Sequence, residues 1–420
     1  MKRTLILPLA GLAVVAMGGA DWRQFRGTHS MGVSSESVPS HMGNDPNVAW
    51  KVDLPDRGLS APIIVGDRLF LTAAGGPRKD RLHVLAFDAK TGRKLWQRSF
   101  WGTGPTDAHP KTCMAAPTPA SDGQHLVALF GTDDLVGLDL DGNVLWVRSL
   151  YEENPGATDG RGLASSPIIV GNSAIVHIET QNTSFAAGID LDTGANRWRV
   201  ERAREINWSS PIPLPGKTPA EDLVLLQGAT RLSACDPATG REVWGLQRNS
   251  HPIASSLVAG KQLIVPGEKG LVAFELQPSP TPPKFLWESA KLLPDTASPV
   301  AIGDRVYALH GAMLAAGDLK NGEVRGQLRV KGPFSASLIA AGGVLYCINE
   351  AGLVQIAKPA EKEPVLVASF PLGESILCTP AIADGALYVR SDKHLWKIGK
   401  PASSSPAEDA RKQGQNKGTD

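Results

Sequence analysis

The sequence predicts an all-β protein: an eight-bladed β-propeller whose blades are four-stranded antiparallel sheets. Two recurring phrases predict this fold. In the first, small residues are followed by proline, apolar residues and glycine, as in LSAPIIVG (59–66) and LASSPIIVG (163–171). In the second, a tryptophan follows a turn glycine by four residues, and this phrase lies between copies of the first. Internal repetition with a period of about 45 residues is typical of a propeller, solenoid or array.

The first phrase marks the innermost strand of each of eight units. Its anchoring prolines are Pro62, Pro117, Pro167, Pro211, Pro299 and Pro380. The last two intervals are close to double the one before them, and each contains a copy without proline, at 255–260 and at 335–342. Short β-branched runs that end at a turn glycine are typical of strands buried on both faces. A further apolar run follows two or three residues later, at 69–73 and 174–178, and predicts a hairpin.

The second phrase predicts a turn and the outermost strand of a blade. It reads AFDAKTGRKLW at 86–96 and GIDLDTGANRW at 188–198. Glycine supplies a positive φ in such a turn, and Asp or Thr side chains can bond nearby backbone amides. We expect the tryptophan that follows to pack between neighbouring blades. The predicted structural tryptophans are Trp50, Trp96, Trp146, Trp198, Trp244 and Trp287.

The two ends of the chain predict how the ring closes. The eighth unit begins at Thr379 and lacks a tryptophan-bearing outer strand, because residues 401–420 contain few apolar residues and predict a disordered tail. Residues 47–52 (NVAWKV) precede the first unit and resemble the missing strand. We therefore predict that this N-terminal strand completes blade eight, which removes exposed sheet edges. The propeller then spans 45–400, after an N-terminal extension at 21–44.

The first twenty residues predict a secretory signal peptide. Lys2 and Arg3 precede an apolar run from Leu5 to Met17, and small residues follow up to Ala20. A membrane anchor is the alternative, but so short an apolar run does not span a bilayer comfortably. We expect cleavage after Ala20, no membrane span in the mature chain, a periplasmic or secreted location, and a monomer.

The charge balance narrows the range of partners. The 420-residue chain has a formal net charge of +1. Loss of residues 1–20 removes Lys2 and Arg3 and no acidic residue, so the net charge becomes −1. This balance gives no electrostatic reason to expect nucleic acid or an anionic membrane surface as a partner.

The repeats resemble the pyrroloquinoline-quinone-like, or quinoprotein-like, β-propeller repeats, which belong to the same superfold as WD40 and YVTN repeats. Such repeats occur in quinoprotein alcohol dehydrogenases and in the outer-membrane assembly lipoprotein BamB. The resemblance covers roughly 45–400, and DWRQFRG (21–27) is also similar to the start of secreted propellers of planctomycete-like bacteria. In the quinoprotein dehydrogenases the cofactor rests against a disulfide between adjacent cysteines, and BamB-like lipoproteins carry a cysteine at the cleavage site. This chain has neither feature.

The four cysteines are widely separated: Cys113, Cys235, Cys347 and Cys378. The simplest interpretation is that they are small buried residues, since their spacing does not form a dense disulfide framework. A bridge between the last two, which fall in consecutive units, is the alternative.

Function in a propeller usually resides on loops and at the channel mouth. The connections between blades carry charged and aromatic residues, which we expect to ring the channel and to suit a polar ligand or a peptide. The candidate ligand-binding residues are His109, Lys111, Arg161, Arg204, Glu205, Trp208, His251 and Asp295.

The sequence indicates neither a catalytic residue nor a metal site. Its nine histidines lack metal-ligand spacing, and it contains no phosphate-binding glycine loop and no Gly-x-Ser-x-Gly turn. We therefore predict a non-catalytic scaffold of the cell envelope that binds a protein or a glycan and needs no cofactor. A quinone-linked oxidoreductase, with pyrroloquinoline quinone as its cofactor, is the alternative, and a hydrolase or lyase built on the loops is a further one.

Overall fold

The computed structural model describes residues 21–38, 47–154 and 160–399. The predicted signal peptide and the predicted C-terminal tail lie outside the described residues. Regular structure in the described part is almost entirely β-strand, as predicted. The exceptions there are the four-residue helix α1 (Leu150–Glu153) and two 3-10 turns at Pro219–Glu221 and Ala290–Leu292.

The strands follow the predicted repeats from one end of the chain to the other. Two strands precede the first repeat, β1 (Val33–Ser34) and β2 (Val48–Asp53). Blade 1 contains β3 (Ile63–Val65), β4 (Arg68–Gly75), β5 (Arg81–Asp88) and β6 (Lys94–Trp101). Blade 2 contains β7 (Ala120–Ser121), β8 (His125–Leu129), β9 (Asp134–Asp139) and β10 (Val144–Ser149). Blade 3 contains β11 (Ile168–Val170), β12 (Ser173–Ile178), β13 (Phe185–Asp190) and β14 (Asn196–Glu201).

Blade 4 contains β15 (Ile212–Leu214), β16 (Leu223–Gln227), β17 (Arg231–Cys235) and β18 (Glu242–Gln247). Blade 5 contains β19 (Leu257–Ala259), β20 (Gln262–Gly267), β21 (Gly270–Glu275) and β22 (Lys284–Ser289). Blade 6 contains β23 (Val300–Ile302), β24 (Arg305–His310), β25 (Met313–Asp318) and β26 (Val324–Arg329). Blade 7 contains β27 (Ile339–Ala341), β28 (Val344–Ile348), β29 (Leu353–Lys358) and β30 (Val365–Pro371). The last repeat contributes β31 (Ala381–Ala383), β32 (Ala386–Arg390) and β33 (His394–Ile398).

The predicted eight-bladed propeller is confirmed. Within each blade the strands pair in chain order from the shortest inner strand outward, and all these pairs are antiparallel. Inner strands of consecutive blades touch, as β7 touches β11 and β11 touches β15. Contact between β3 of the first blade and β31 of the last shows that the ring closes.

The predicted clasp between the two ends of the chain is also confirmed. Strand β2 pairs antiparallel with β33, with Trp50 opposite Lys397 and Val52 opposite Leu395. The sheet order β2-β33-β32-β31 therefore makes β2 the outer strand of blade 8. The last blade is thus built from both ends of the chain, and no covalent bond is needed to close the ring.

The turn before an outer strand has the predicted chemistry. In blade 3, Gly194 has a φ of +72°. The Asp190 carboxylate accepts hydrogen bonds from the backbone N–H and the hydroxyl of Thr193, at 3.0 and 2.9 Å. The side chain that starts the turn therefore satisfies the donors that the turn exposes.

The outer-strand tryptophans join neighbouring blades through this same turn. The Trp146 indole N–H of blade 2 donates to the Leu191 carbonyl of blade 3 at 2.7 Å. A Cβ added to Gly194 would lie 2.5 Å from the Trp146 ring, so only glycine lets the ring lie flat on the turn. Equivalent indole bonds link Trp50 to Ala89, Trp96 to Leu140, Trp198 to Pro237 and Trp287 to Leu319. Trp244 is buried instead among apolar side chains of blades 4 and 5.

Candidate functional site

The two ends of the propeller channel are built differently. The connections between blades form one face, and the hairpin turns that follow the inner strands form the other. Residues 21–38, here called the N-terminal plug, lie against the hairpin-turn face. Asp21 accepts from the Gly66 amide at 2.9 Å, and the Arg23 guanidinium donates to the Asp122 carbonyl at 2.6 Å. Strand β1 of the plug extends this contact to blade 7. It pairs in parallel with the inner strand β27 and so becomes a fifth strand of the sheet of blade 7.

Arg26 of the plug is fully buried under the channel. Its guanidinium donates to the carbonyls of Ser256 at 3.3 Å, Met31 at 3.2 Å and Pro299. No carboxylate of the described residues forms an ion pair with it, and its Nε lacks any hydrogen-bond partner. Burial lowers the pKa of Arg26 to about 9. The plug therefore closes one end of the channel and leaves an uncompensated cation there.

The open end of the channel is a cavity of about 340 Å³, here called the central cup. Phe25 of the plug reaches its base, and all eight blades contribute to its side wall. Each blade supplies residues from the segment just before its inner strand, such as Leu59 and Ala61 of blade 1 or Trp208 and Ser210 of blade 4. The first sequence phrase thus builds both the inner strands and the wall of the cup.

Seven hydroxyl groups form a ring in this wall, and each accepts a hydrogen bond from the backbone N–H of the preceding blade. The ring hydroxyls are Thr118, Ser166, Ser210, Ser255, Ser298, Ser337 and Thr379, with N···O distances of 2.9 to 3.1 Å. Blade 1 has Ala61 at the equivalent position. The ring is therefore open between blade 8 and blade 1.

The cup wall contains no carboxylate. None of the residues that line it is Asp or Glu, and its basic residues are His109, Lys111 and Arg161. Glu350 lies behind the wall, where it pairs with the Lys111 ammonium at 2.8 Å and accepts from the Ser335 hydroxyl at 2.8 Å. The charge of Lys111 is therefore partly balanced.

Four of the eight residues that we predicted as ligand-binding line the cup: His109, Lys111, Arg161 and Trp208. The His109 amide donates to the Arg161 carbonyl at 3.0 Å, which holds the two longest connections together. Trp208 is held at both ends, since its backbone N–H donates to Pro252 at 2.6 Å and its indole N–H to Gly162 at 3.2 Å. Its ring is half-buried and faces the cup.

The other four predicted residues do not line the cup. The His251 ring accepts from the amides of Ile253 and Ala254, and burial lowers the pKa of His251. Asp295 pairs with His310 at 2.7 Å and accepts from the Gly311 amide at 2.5 Å, so it stabilises a hairpin of blade 6. Arg204 is exposed and Glu205 is half-buried, both on the connection between blades 3 and 4.

A buried polar cluster holds Asn207, the residue before Trp208. The Glu179 carboxylate accepts from Arg202 at 2.8 Å and from the Asn207 amide at 3.1 Å, and it lies 2.8 Å from the His177 ring. Burial opposes the ionised form, but His177 and Arg202 outweigh burial and lower the pKa of Glu179. This cluster fixes the connection that carries Trp208.

Arg390, at the end of β32, is a functional candidate that the sequence did not reveal. It is completely buried, and its guanidinium donates to the Thr72 carbonyl at 2.6 Å and to the Ser60 hydroxyl at 3.2 Å. Its Nη2 has no hydrogen-bond partner among the described residues. Asp392, the acidic residue nearest in sequence, pairs with Arg57 at 3.2 Å instead. Burial lowers the pKa of Arg390, and the charge of Asp392 opposes that shift.

The four cysteines are all free and buried, so the alternative of a Cys347–Cys378 bridge is wrong. Burial raises the pKa of Cys378, which lines the cup, to about 11, and that of Cys347 to about 12. A buried thiol with a raised pKa is a poor nucleophile. These cysteines therefore behave as small core residues.

The residues that line the cup do not fit a quinone cofactor that is bound together with a metal ion. Calcium and similar hard cations require several oxygen ligands, mostly carboxylates, and no carboxylate lines the cup. Across the described ranges, no group of three or more His, Cys, Asp or Glu residues could hold a metal ion. Cysteines adjacent in sequence, on which a quinone rests in the dehydrogenases, are absent from the chain.

A family model described as "Outer membrane protein assembly factor BamB" matches residues 43–201 and 183–400. Together the two matches cover the whole propeller. The chain belongs to this family.

Solved structures of the BamB family and of quinoprotein enzymes share the fold. BamB from Moraxella catarrhalis matches with a TM-score of 0.62 and 18% identity, over 85% of this chain and 98% of that chain. A europium-containing methanol dehydrogenase matches with a TM-score of 0.68 and 12% identity, over 91% of this chain and 98% of that one. The quinohemoprotein alcohol dehydrogenase of Comamonas testosteroni matches with a TM-score of 0.68 and 12% identity, over 92% of this chain and 81% of that chain. At such identities these likenesses show the fold alone.

Among characterised relatives, a polyvinylalcohol dehydrogenase from a Pseudomonas species is 21% identical over 55% of this chain. The match covers 45% of that protein, so this chain spans less than half of the relative's length. In the described parts of the chain, no helix is long and apolar enough to cross a membrane.

Proposed function

We propose that the protein is a non-catalytic binding propeller of the cell envelope, which holds a partner protein or glycan by a group that enters the central cup. One observation carries this proposal: the channel is closed by the plug at one end and opens at the other as a cup built by all eight blades. Concave sites of about 300–1,000 Å³ are typical for small ligands or for single groups of larger ones, and the cup lies at the lower end of that range.

The chemistry of the wall supports binding over catalysis. The ring serines and threonines use their hydroxyl oxygens as acceptors for backbone N–H groups, and no His, Asp or Glu of the described residues bonds to them. A serine nucleophile needs an adjacent general base. The buried cysteines lack the thiolate character that a nucleophile requires.

The family name supports an envelope location, and the N-terminal residues support export. We propose a periplasmic or secreted protein that acts as a monomer. Its partner would be an envelope protein or a glycan rather than nucleic acid, in keeping with the near-zero net charge.

The experiment compares two matched substitutions on the connector face. Ala164→Trp places an indole in the cup, because Ala164 lines it, whereas Ala203→Trp places one on an exposed connection outside it. Each immobilised protein is incubated with envelope extract, and bound material is identified by mass spectrometry and sugar analysis. We expect ligands retained by the wild type and by the Ala203→Trp variant to be lost from the Ala164→Trp variant. Retention of every ligand by the Ala164→Trp variant would exclude the cup as the binding site.

A quinone-linked oxidoreductase is the second candidate, favoured by the likeness to the polyvinylalcohol dehydrogenase and to the quinoprotein structures. Because no carboxylate lines the cup, we predict no stoichiometric binding of pyrroloquinoline quinone with calcium. Calorimetry tests this directly. A dissociation constant below about 10 μM, or about −7 kcal/mol, would place the oxidoreductase first.

A further inference from the structure

We propose that the central cup binds the carboxylate of an acidic glycan, and that one carboxylate oxygen occupies the gap which Ala61 leaves in the hydroxyl ring. This inference rests on the proposed binding function and names its ligand class. Four features support this proposal: an unpaired backbone donor at the gap, a buried arginine next to that gap in the chain, unused hydroxyl donors around the wall, and apolar and aromatic surface in the rest of the cup.

The gap leaves one buried N–H without an acceptor. Around the ring, each backbone N–H donates to the hydroxyl of the next blade, ending with Ser337 N–H on Thr379 at 2.9 Å. The Thr379 N–H is the next donor in this series, but Ala61 has no oxygen to receive it. The Thr379 N–H forms no hydrogen bond within the described residues, and Thr379 is buried. Buried backbone donors are almost always paired, so a ligand oxygen is the expected partner.

Arg390 brings a buried positive charge to the residue before the gap. Its guanidinium bonds to the Ser60 hydroxyl, one residue before Ala61. It lies against Gly58, where an added Cβ would be 2.6 Å from Nη2. The charge of Asp392 favours the charged guanidinium without a direct ion pair, and an anion at the gap would compensate the buried Arg390 further. Arg26 adds a second buried cation at the closed end of the channel. The oxygen at the gap should therefore belong to an anion.

The ring hydroxyls supply the remaining donors. Each of the seven accepts one backbone hydrogen bond, yet none has a hydrogen-bond acceptor for its own hydrogen atom in the described part of the chain. All seven are at least nine-tenths buried and line the cup. A wall of O–H donors without a carboxylate suits an oxyanion and disfavours a cation.

The rest of the cup fits a carbon skeleton that carries hydroxyl groups. Leu59, Ile253 and Leu377 place apolar surface between the donors, and the Trp208 ring lines the cup. Amphipathic indole surface is suited to a ligand with one apolar and one polar face. A sugar hydroxyl both donates and accepts, so it can pair with ring hydroxyls in either sense. A polypeptide end would instead bring N–H donors to a wall that consists mainly of donors, so we favour a uronic-acid sugar.

The test is calorimetry with a tetramer of galacturonic acid and with its fully methyl-esterified form, which has the same skeleton without charge. We expect the acid to bind and the ester to bind at least tenfold more weakly. Ala61→Ser supplies the missing ring hydroxyl, so it should weaken binding of the acid at least tenfold. The same substitution should raise the melting temperature of the free protein, because it gives the Thr379 N–H a partner. Ala203→Ser, on an exposed connection outside the cup, should change neither quantity.

Several results would overturn the inference. Equal binding of acid and ester would exclude recognition of the carboxylate, and unchanged affinity in the Ala61→Ser variant would exclude the gap. A blocked trialanine peptide with a free carboxyl end, compared with its amide, provides a further arm. Binding of the free peptide but not of the sugar acid would replace the glycan by a chain terminus. If neither probe binds while the Ala164→Trp variant still loses its extract ligands, this inference fails and the binding function stands.

Discussion

Substitution of Trp198 by alanine tests whether the blades are held together by the contact between tryptophan and turn. Trp198 is 7% exposed, and its indole N–H donates to the Pro237 carbonyl of the next blade at 2.8 Å. Its ring covers the turn glycine Gly240, where an added Cβ would lie 2.5 Å from the ring. The side chain therefore contributes both apolar burial and a hydrogen bond across one blade boundary.

The expected loss follows from the area that this ring buries. A buried tryptophan removes about 150–250 Å² from water, which at about 25 cal/mol per Å² gives about 4–6 kcal/mol. Measured Trp→Ala substitutions in cores cost about 3–5 kcal/mol, and we adopt that range. With an unfolding entropy of about 2.1 cal/mol/K per residue over roughly 350 residues, this corresponds to a melting temperature lower by about 4–7 °C.

The assay is scanning calorimetry together with urea denaturation. Trp101→Ala is the matched control, because Trp101 is 66% exposed and its loss should change the unfolding free energy by no more than about 0.5 kcal/mol. Gly240→Ala should also destabilise, since the new methyl group meets the indole and φ is +70°. In the Trp198→Ala background only the φ strain, about 1–2 kcal/mol, should remain. Strict additivity of the two substitutions would refute the contact.

Three further predictions concern other parts of the molecule. Deletion of 47–53, which removes the outer strand of blade 8, should expose sheet edges and produce aggregates in size-exclusion chromatography, and a monomeric, equally stable product would contradict the clasp. Burial raises the pKa of Glu374, but hydrogen bonds from His394, Ser391 and Lys51 outweigh burial and lower it to about 2. A depressed carboxyl pKa stabilises the fold above the ordinary value near 4.5, and this stability is lost as the pH falls toward 2. The difference in unfolding free energy between the wild type and the Glu374→Gln variant, measured by urea denaturation, should therefore shrink as the pH falls from 4.5 toward 2. A difference that stays constant with pH would contradict the lowered pKa of Glu374. Finally, iodoacetamide at pH 7.5 should modify none of the buried thiols of the native protein and all four after denaturation, as read by mass spectrometry.

The repeat pattern was sufficient to predict the fold, because propeller geometry imposes the same local chemistry on every blade. The turn that Asp190 and Gly194 form, and the tryptophan four residues after its glycine, are local signals that the structure reproduces. The clasp could be predicted because Trp50 carries the outer-strand signal out of sequence order. Its indole bond to Ala89 then joins blade 8 to blade 1.

The site was predicted only in part. Whether a residue lines the cup depends on its position in the repeat, whereas we selected candidates by their chemical type. Trp208 and Lys111 line it, whereas the His251 ring bonds to amides of its own connection and Asp295 bonds to a hairpin of blade 6. Arg390 gave no sequence signal, since it ends an ordinary-looking strand and its burial depends on the space left by Gly58. The plug was recognisable as an extension, but nothing local in DWRQFRG shows that it lies under the channel.

Two physical reasons explain why small residues, mostly with a hydroxyl group, precede each inner strand. Crowding near the axis accounts for their size, but alanine would serve that purpose equally well. Hydroxyl groups recur at seven of the eight positions because each accepts a backbone N–H that the ring would otherwise bury unpaired. The exception at Ala61 is therefore the informative position: it leaves the Thr379 N–H without a ring hydroxyl, next to Ser60, whose hydroxyl accepts from the buried Arg390 guanidinium. The carboxylate that we propose would supply the oxygen that the repeat lacks at this one position, beside a buried guanidinium that forms no direct ion pair in the described part of the chain.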